Sequence, residues 1–107
     1  MTEENILEGN YLIAKFCGAI GTENYIRNSY NRYHVSWDML MPVVEKIEHE
    51  ITPIEILDTQ CKIGRTIYNR EEILISSDTS KIEATYFAVI EFIKCCNEYK
   101  KPNNNQS

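Results

Sequence analysis

Apolar residues recur at three- and four-residue steps in three stretches of the chain, and at two-residue steps between the second and third. In the first stretch Leu12, Ile13, Phe16 and Cys17 predict a helix over part or all of residues 3–17. Gly18 follows where a left-handed cap is wanted, and Asn10 offers a later start with residues 3–9 as a frayed lead. In the second, Ser36 is an N-cap, and Val35 and Leu40 stand at the positions of a hydrophobic staple. Trp37, Leu40, Val44, Ile47 and Ile51 form its apolar stripe, with Glu45, Lys46, Glu48 and His49 elsewhere. Pro42 removes a backbone donor past the first turn and crowds the carbonyl of Asp38, so a bend is expected near Met41. The third stretch opens on Ser80-Lys81-Ile82-Glu83, a capping box, and runs to about Tyr99. Ile82, Tyr86, Val89, Ile93 and Cys96 lie on one stripe there, widened by Ala84, Phe87, Ile90 and Phe92.

The alternating region begins after Pro53. Ile54 and Ile56 share one face, Cys61, Ile63 and Ile67 repeat the two-residue period, and Ile73 and Ile75 give a further strand. Gly64 marks a turn or bulge. Residues 18–35 are punctuated by Gly18, Gly21, Asn24, Asn28, Ser29 and Asn31; the β-prone pieces 25–27 and 32–35 flank an Asn-Ser turn signal, which predicts a short hairpin or an irregular aromatic loop. Together these elements predict an α+β domain over residues 1–99. A small antiparallel β-sheet of two to four strands packs against two main helices, with a short N-terminal helix at an edge. Residues 100–107 read as a disordered polar tail.

Composition narrows the function classes. At 107 residues, 43% hydrophobic and 25% charged, the chain suffices for one modest core. A formal charge of -5 argues against a duplex nucleic-acid partner, which requires a basic face to neutralise phosphates. The N-terminal residues lack a basic region followed by an apolar run, so no signal peptide is expected. No apolar stretch reaches membrane-spanning length, which predicts a cytoplasmic protein without a membrane partner. Cys17, Cys61, Cys95 and Cys96 have neither disulfide-framework nor CxxC spacing and read as reduced thiols.

Few constellations carry chemistry. Glu45 and His49 stand four apart on one helix face, but no third ligand follows at suitable spacing, so no metal is expected. The cysteines lie in apolar patterns that suit core filling better than nucleophilic catalysis. The 18–21 Gly-Ala-Ile-Gly run lacks the GK[ST] ending of a phosphate loop, and Glu71-Glu72 is a charged turn. A non-enzymatic protein without a cofactor is the resulting expectation. The aromatic segment is the exception. Tyr25, Tyr30, Tyr33, His34 and Trp37, interleaved with Arg27 and Arg32 and followed by the amides of the Ser36 helix start, offer stacking faces and phosphate contacts for a nucleotide-type ligand. The competing reading has Tyr33 and Trp37 anchoring the second helix to the core.

Three runs carry a resemblance: 12–16 (Leu-Ile-Ala-Lys-Phe), 33–48 (YHVSWDMLMPVVEKIE) and 81–94 (KIEATYFAVIEFIK). Together they cover about half of the chain, and the whole resembles small phage and prophage proteins of the Bacteroidetes with an α/β sandwich domain. The resemblance implies an accessory protein expressed in a bacterial host cytoplasm. No catalytic or binding residue carries over with it. Some small phage proteins of this size counter host defences by sequestering nucleotide signals, so a counter-defence role is one expectation and an inhibitor or adaptor acting on a host protein the other. The apolar surround of the last helix, notably Phe87, Ile90 and Phe92, further predicts a homo-oligomer formed through that helix or a sheet edge.

Overall fold

The computed structural model of the protein describes residues 2–29 and 31–100, which fold into four helices and a three-stranded antiparallel sheet. Helix α1 spans Glu3–Phe16 and starts on Thr2, whose side chain accepts from the Asn5 amide at 3.2 Å. Its 14 residues fill nearly all of the 3–17 range expected, with no frayed lead before Asn10. Its end is a Schellman closure: the Gly18 amide reaches the Lys15 carbonyl, the Ala19 amide reaches that of Ala14, and Gly18 takes φ +93°.

Helix α2, Glu23–Asn28, replaces the expected hairpin. The Tyr25-Ile26-Arg27 piece is helical because Thr22 caps it, its hydroxyl accepting from the Tyr25 amide at 3.1 Å, and because the Glu23–Arg27 pair spans one turn. The Asn-Ser signal marks the end of this helix, where the Ser29 hydroxyl donates to the Tyr25 carbonyl at 2.9 Å. Residues 32–35 form a turn in place of the second β-prone piece.

Helix α3, Trp37–Glu50, begins at Ser36, whose Oγ accepts from the Met39 amide at 3.3 Å. It continues as one element through Pro42. Leu40, Val44 and Ile47 of the expected stripe are buried together with Val43, Ile51 packs against the core, and Trp37 falls at the exposed margin.

Strands β1 (Ile54–Ile56), β2 (Gln60–Ile63) and β3 (Ile73–Ser76) form a sheet in the order β1-β2-β3. Ile54 opposes Ile63, Cys61 opposes Ile75, and Ile63 opposes Ile73, so one face is apolar. Glu55, Lys62 and Leu74 share the other face, with Lys62 lying 3.8 Å from Glu55 and 3.6 Å from Glu72. Ile67 lies outside the strands at 71% exposure. It belongs to a 64–72 loop tied together by Asn69, whose Nδ2 donates to the Gly64 and Glu71 carbonyls at 3.2 and 2.8 Å.

Helix α4, Lys81–Lys100, is the centre of the molecule. It packs on β2 and β3, while α1 lies against it elsewhere and α3 bridges it to β1. Consecutive residues Ala84, Thr85 and Tyr86 are all buried, as are Val89, Phe92 and Ile93. Burial on several sides explains its continuous apolar surround. Phe92 is fully buried and Ile90 is 7% exposed within the single chain, and Phe87 packs against the same core. Most of this apolar surround is thereby covered within the single chain by α1 and the sheet, with Phe87 only partly buried. Fully burying a residue such as Ile13, Leu40 or Phe92 stabilises the fold by about 1.5–3 kcal/mol each. Lys100 is the last residue of α4, and the remainder of the expected tail, 101–107, lies outside the described residues.

Candidate functional site

The aromatic segment does not assemble as one ligand face. Tyr25 stands on α2 at 67% exposure and Trp37 at the start of α3 at 36%. Arg27 is committed elsewhere. Its guanidinium lies 2.9 Å from Glu8 and 2.7 Å from Glu23, and 4.1 Å from the centre of the Tyr11 ring. It clamps α2 to α1, and the two carboxylates raise its already high pKa. Arg32 is exposed, and its backbone amide points to Met39 Sδ at 3.4 Å. Tyr33 is half-buried against the core, where burial raises its pKa. Ser36 serves as the helix cap, and Tyr30 lies outside the described residues. Tyr25 and Tyr33 both line a small cavity of about 260 Å³ that also involves Cys17 and Ile26.

His34 belongs to a buried polar network that the sequence did not suggest. Asn10 Nδ2 donates to the Asn31 carbonyl at 3.1 Å and lies 3.3 Å from His34 Nδ1, while Tyr86 Oη lies 3.1 Å from both Asn10 Oδ1 and the Ile6 carbonyl. A carbonyl only accepts, so Asn31 fixes which end of the Asn10 amide is the nitrogen. His34 Nδ1 must then accept, which places the ring proton on Nε2 and keeps the imidazole neutral. Burial lowers the His34 pKa, and the nearby charge of Arg32 lowers it further. This network fastens α1, the 31–36 turn and α4 together.

The cysteines are not arranged for nucleophilic work. Burial raises the pKa of Cys17, of Cys95 and of Cys61, the last to about 11, opposite to what an activated thiol requires. Among the described residues no cluster of three or more His, Cys, Asp or Glu is placed to hold a metal ion, and no helix is long and apolar enough to cross a membrane.

A groove of about 670 Å³ lies along the edge of β3, with α1 as one wall (Asn5, Glu8, Gly9, Leu12), α4 as its floor (Phe87, Ile90, Glu91, Lys94) and β3 as the other wall. Three consecutive strand residues, Ile73, Leu74 and Ile75, line it, so the wall is the strand's edge and not one of its faces. It shares Ile73, Glu91 and Lys94 with a second concavity of about 910 Å³ beside the 67–72 loop, so the two adjoin along the edge as a channel in two parts.

The ladder shows what that edge offers. The Ser77 amide donates to the Thr59 carbonyl at 2.9 Å, extending the β2–β3 register by one pair. Pairs alternate in an antiparallel ladder, so Ile75 and Ile73 also exchange their bonds with β2. Leu74 and Ser76 consequently turn their N–H and C=O groups away from β2, Leu74 as part of the channel wall and Ser76 just past its lining residues. Sequence periodicity located this strand, but its place at an edge follows only from the sheet order.

Comparison with known proteins finds no family model, no curated protein and no solved structure that matches the chain.

Proposed function

We propose that the chain is a non-catalytic phage or prophage accessory protein that acts in the bacterial host cytoplasm by binding a host protein through the β3 channel. The observation that carries this reading is the coincidence of a strand edge that has no neighbouring strand among the described residues with an apolar lining of Phe87, Ile90 and Leu12. Exposed edges of this kind are ordinarily shielded, and here the neighbouring helix leaves the edge open. The phage setting rests on the resemblance of the 12–16, 33–48 and 81–94 runs. Sequestration of a nucleotide has less support, because Arg27 is held by two carboxylates and its neighbours do not converge. The raised thiol pKa values give catalysis no support either.

Photo-crosslinking amino acids placed at Asn5 and Leu74, with Glu48 on the exposed side of α3 as control, test the reading in host cells. The expected result is one host protein crosslinked from both channel positions and not from Glu48. Absence of any channel-specific crosslink overturns it. Nucleotide binding in a thermal-shift screen, lost in an Arg32→Ala variant, would favour sequestration instead.

A further inference from the structure

We infer that the occupant of the channel is an extended polypeptide segment, apolar at alternate positions and flanked by lysine or arginine, which adds to β3 as a fourth strand. This rests on the proposed binding role and assigns its partner chemistry. Leu74 and Ser76 stand two residues apart with donors and acceptors turned away from β2 and toward no other strand among the described residues, which matches the two-residue repeat of a pairing strand. A strand there turns alternate side chains toward the floor formed by Phe87 and Ile90 and the wall formed by Leu12. Affinity in strand addition comes from the main-chain bonds, and selectivity from the pockets that receive alternate side chains.

Charge selects the flanks. The channel is lined by five carboxylates, Glu8, Glu71, Glu72, Glu91 and Glu98, against two cations, Arg70 and Lys94; Glu8 is paired with Arg27, Glu72 with Lys62 and Glu91 with Lys94, and the lining still holds more carboxylates than cations. Its apolar floor lies toward α1 and its carboxylates cluster toward the 70–72 loop and the end of α4, so an apolar stretch with basic flanks meets both.

A second copy of this chain suits the site less well. Pairing two β3 edges about a two-fold axis keeps the apolar faces of both sheets on the same side. The incoming β3 then carries its own α4 on the face that α1 already walls off. A lone segment brings no helix with it and fits beneath α1.

The probe is a synthetic nine-residue peptide, Lys-Lys-Val-Thr-Val-Thr-Val-Lys-Lys, titrated into the ¹⁵N-labelled full chain. Its comparators are the same peptide with glutamates at the flanks and one N-methylated at alternate residues of the core. The expected result is binding of the first peptide with slowed amide exchange at Leu74 and Ser76, and at least tenfold weaker binding of both comparators. A Leu74→Pro variant removes the open donor without removing a bond to β2, because that amide faces the channel; at least tenfold weaker peptide binding is expected. If that variant does not fold, the exchange rates in the parent chain decide. No peptide binding, binding without protection of Leu74 and Ser76, or equal binding of the acidic peptide overturns the inference. Protection of those amides that grows with protein concentration in the absence of peptide overturns it in favour of a second copy. A host protein crosslinked at Asn5 and Leu74 without any peptide binding would leave the proposed function standing and remove this inference alone.

Discussion

Gly9 and Tyr86 are in contact across the α1–α4 interface, and the contact depends on the missing side chain. A Cβ on Gly9 would come within 2.4 Å of Tyr86 Oη and 2.5 Å of Ile90 Cδ1. The hydroxyl has little room to retreat, since it bonds to both Ile6 O and Asn10 Oδ1.

Gly9→Ala is therefore expected to destabilise the protein. Overpacking costs about 1–3 kcal/mol and outweighs the gain of up to about 1 kcal/mol from replacing a helical glycine. Tyr86→Phe removes the hydroxyl and should cost about 1–3 kcal/mol by leaving the buried Asn10 Oδ1 without its donor. The double variant should lose less than the sum of the two, because the phenyl ring no longer presents the oxygen that the new methyl meets. Urea denaturation of the four proteins measures this. Additive losses, or a stabilised Gly9→Ala, would show that the interface relaxes freely.

The Asn10–His34 bond makes stability depend on pH with a definite sign. The imidazole accepts at Nδ1, and burial lowers its pKa below the ordinary value near 6.5. The unfolded chain thus takes up the proton first as pH falls. The stabilising contribution is complete above about pH 6.5 and declines below it, until the folded state is protonated as well. His34→Gln keeps an acceptor without a titrating proton and should flatten this part of the profile. Urea midpoints at pH 7.5 and 5.5 for both proteins provide the check, and an unchanged slope in the variant would assign the dependence elsewhere.

How much of this was legible in the chain differs by element. The three apolar stripes located α1, α3 and α4, because each buries a face wide enough to leave a periodic trace, and the alternation after Pro53 located the sheet. Helix α2 was not legible. Its six residues contain β-prone Tyr25 and Ile26, and what decides the outcome is the Thr22 cap with the Glu23–Arg27 pair. Ile67 continued a two-residue period beyond the point where Gly64 and the Asn69 bonds turn the chain away. For the site, Arg27 looked available because its partner Glu8 is 19 residues away, and Asn10 looked like a helix start when it is the hub of a buried network. The strand was visible at Ile73 and Ile75, but the open amides of Leu74 and Ser76 belong to sheet order, which local pattern does not encode.

The thiols should react in an order set by burial. Cys17 is exposed, Cys95 half-buried, and Cys61 and Cys96 buried, all four as free thiols. Native alkylation followed by intact-mass analysis is expected to add one label rapidly at Cys17 and a second slowly at Cys95. All four should be modified after denaturation, and reducing agent should leave the melting temperature unchanged. Rapid labelling of Cys61 would contradict its place between the sheet and α4.

The last prediction concerns the start of α4, where the capping box is only half formed. The Glu83 amide donates to Ser80 Oγ at 3.2 Å as the motif requires. The Glu83 carboxylate does not return to the Ser80 amide, which donates instead to Ser77 Oγ at 3.3 Å. That carboxylate accepts from the hydroxyls of Ser77 and Thr79, and these bonds lower its pKa. A lowered carboxylate pKa stabilises the fold above the unfolded value, near 4.3, and the contribution disappears as pH falls through the folded value. Ser80→Ala should cost about 0.5–2 kcal/mol at any pH, since the cap does not titrate. Glu83→Gln should destabilise at pH 7 and approach the parent as pH falls through the lowered folded value of the carboxylate. A Glu83→Gln deficit that does not shrink at any acid pH where both proteins stay folded would show that the bonds to Ser77 and Thr79 do not depend on the charge.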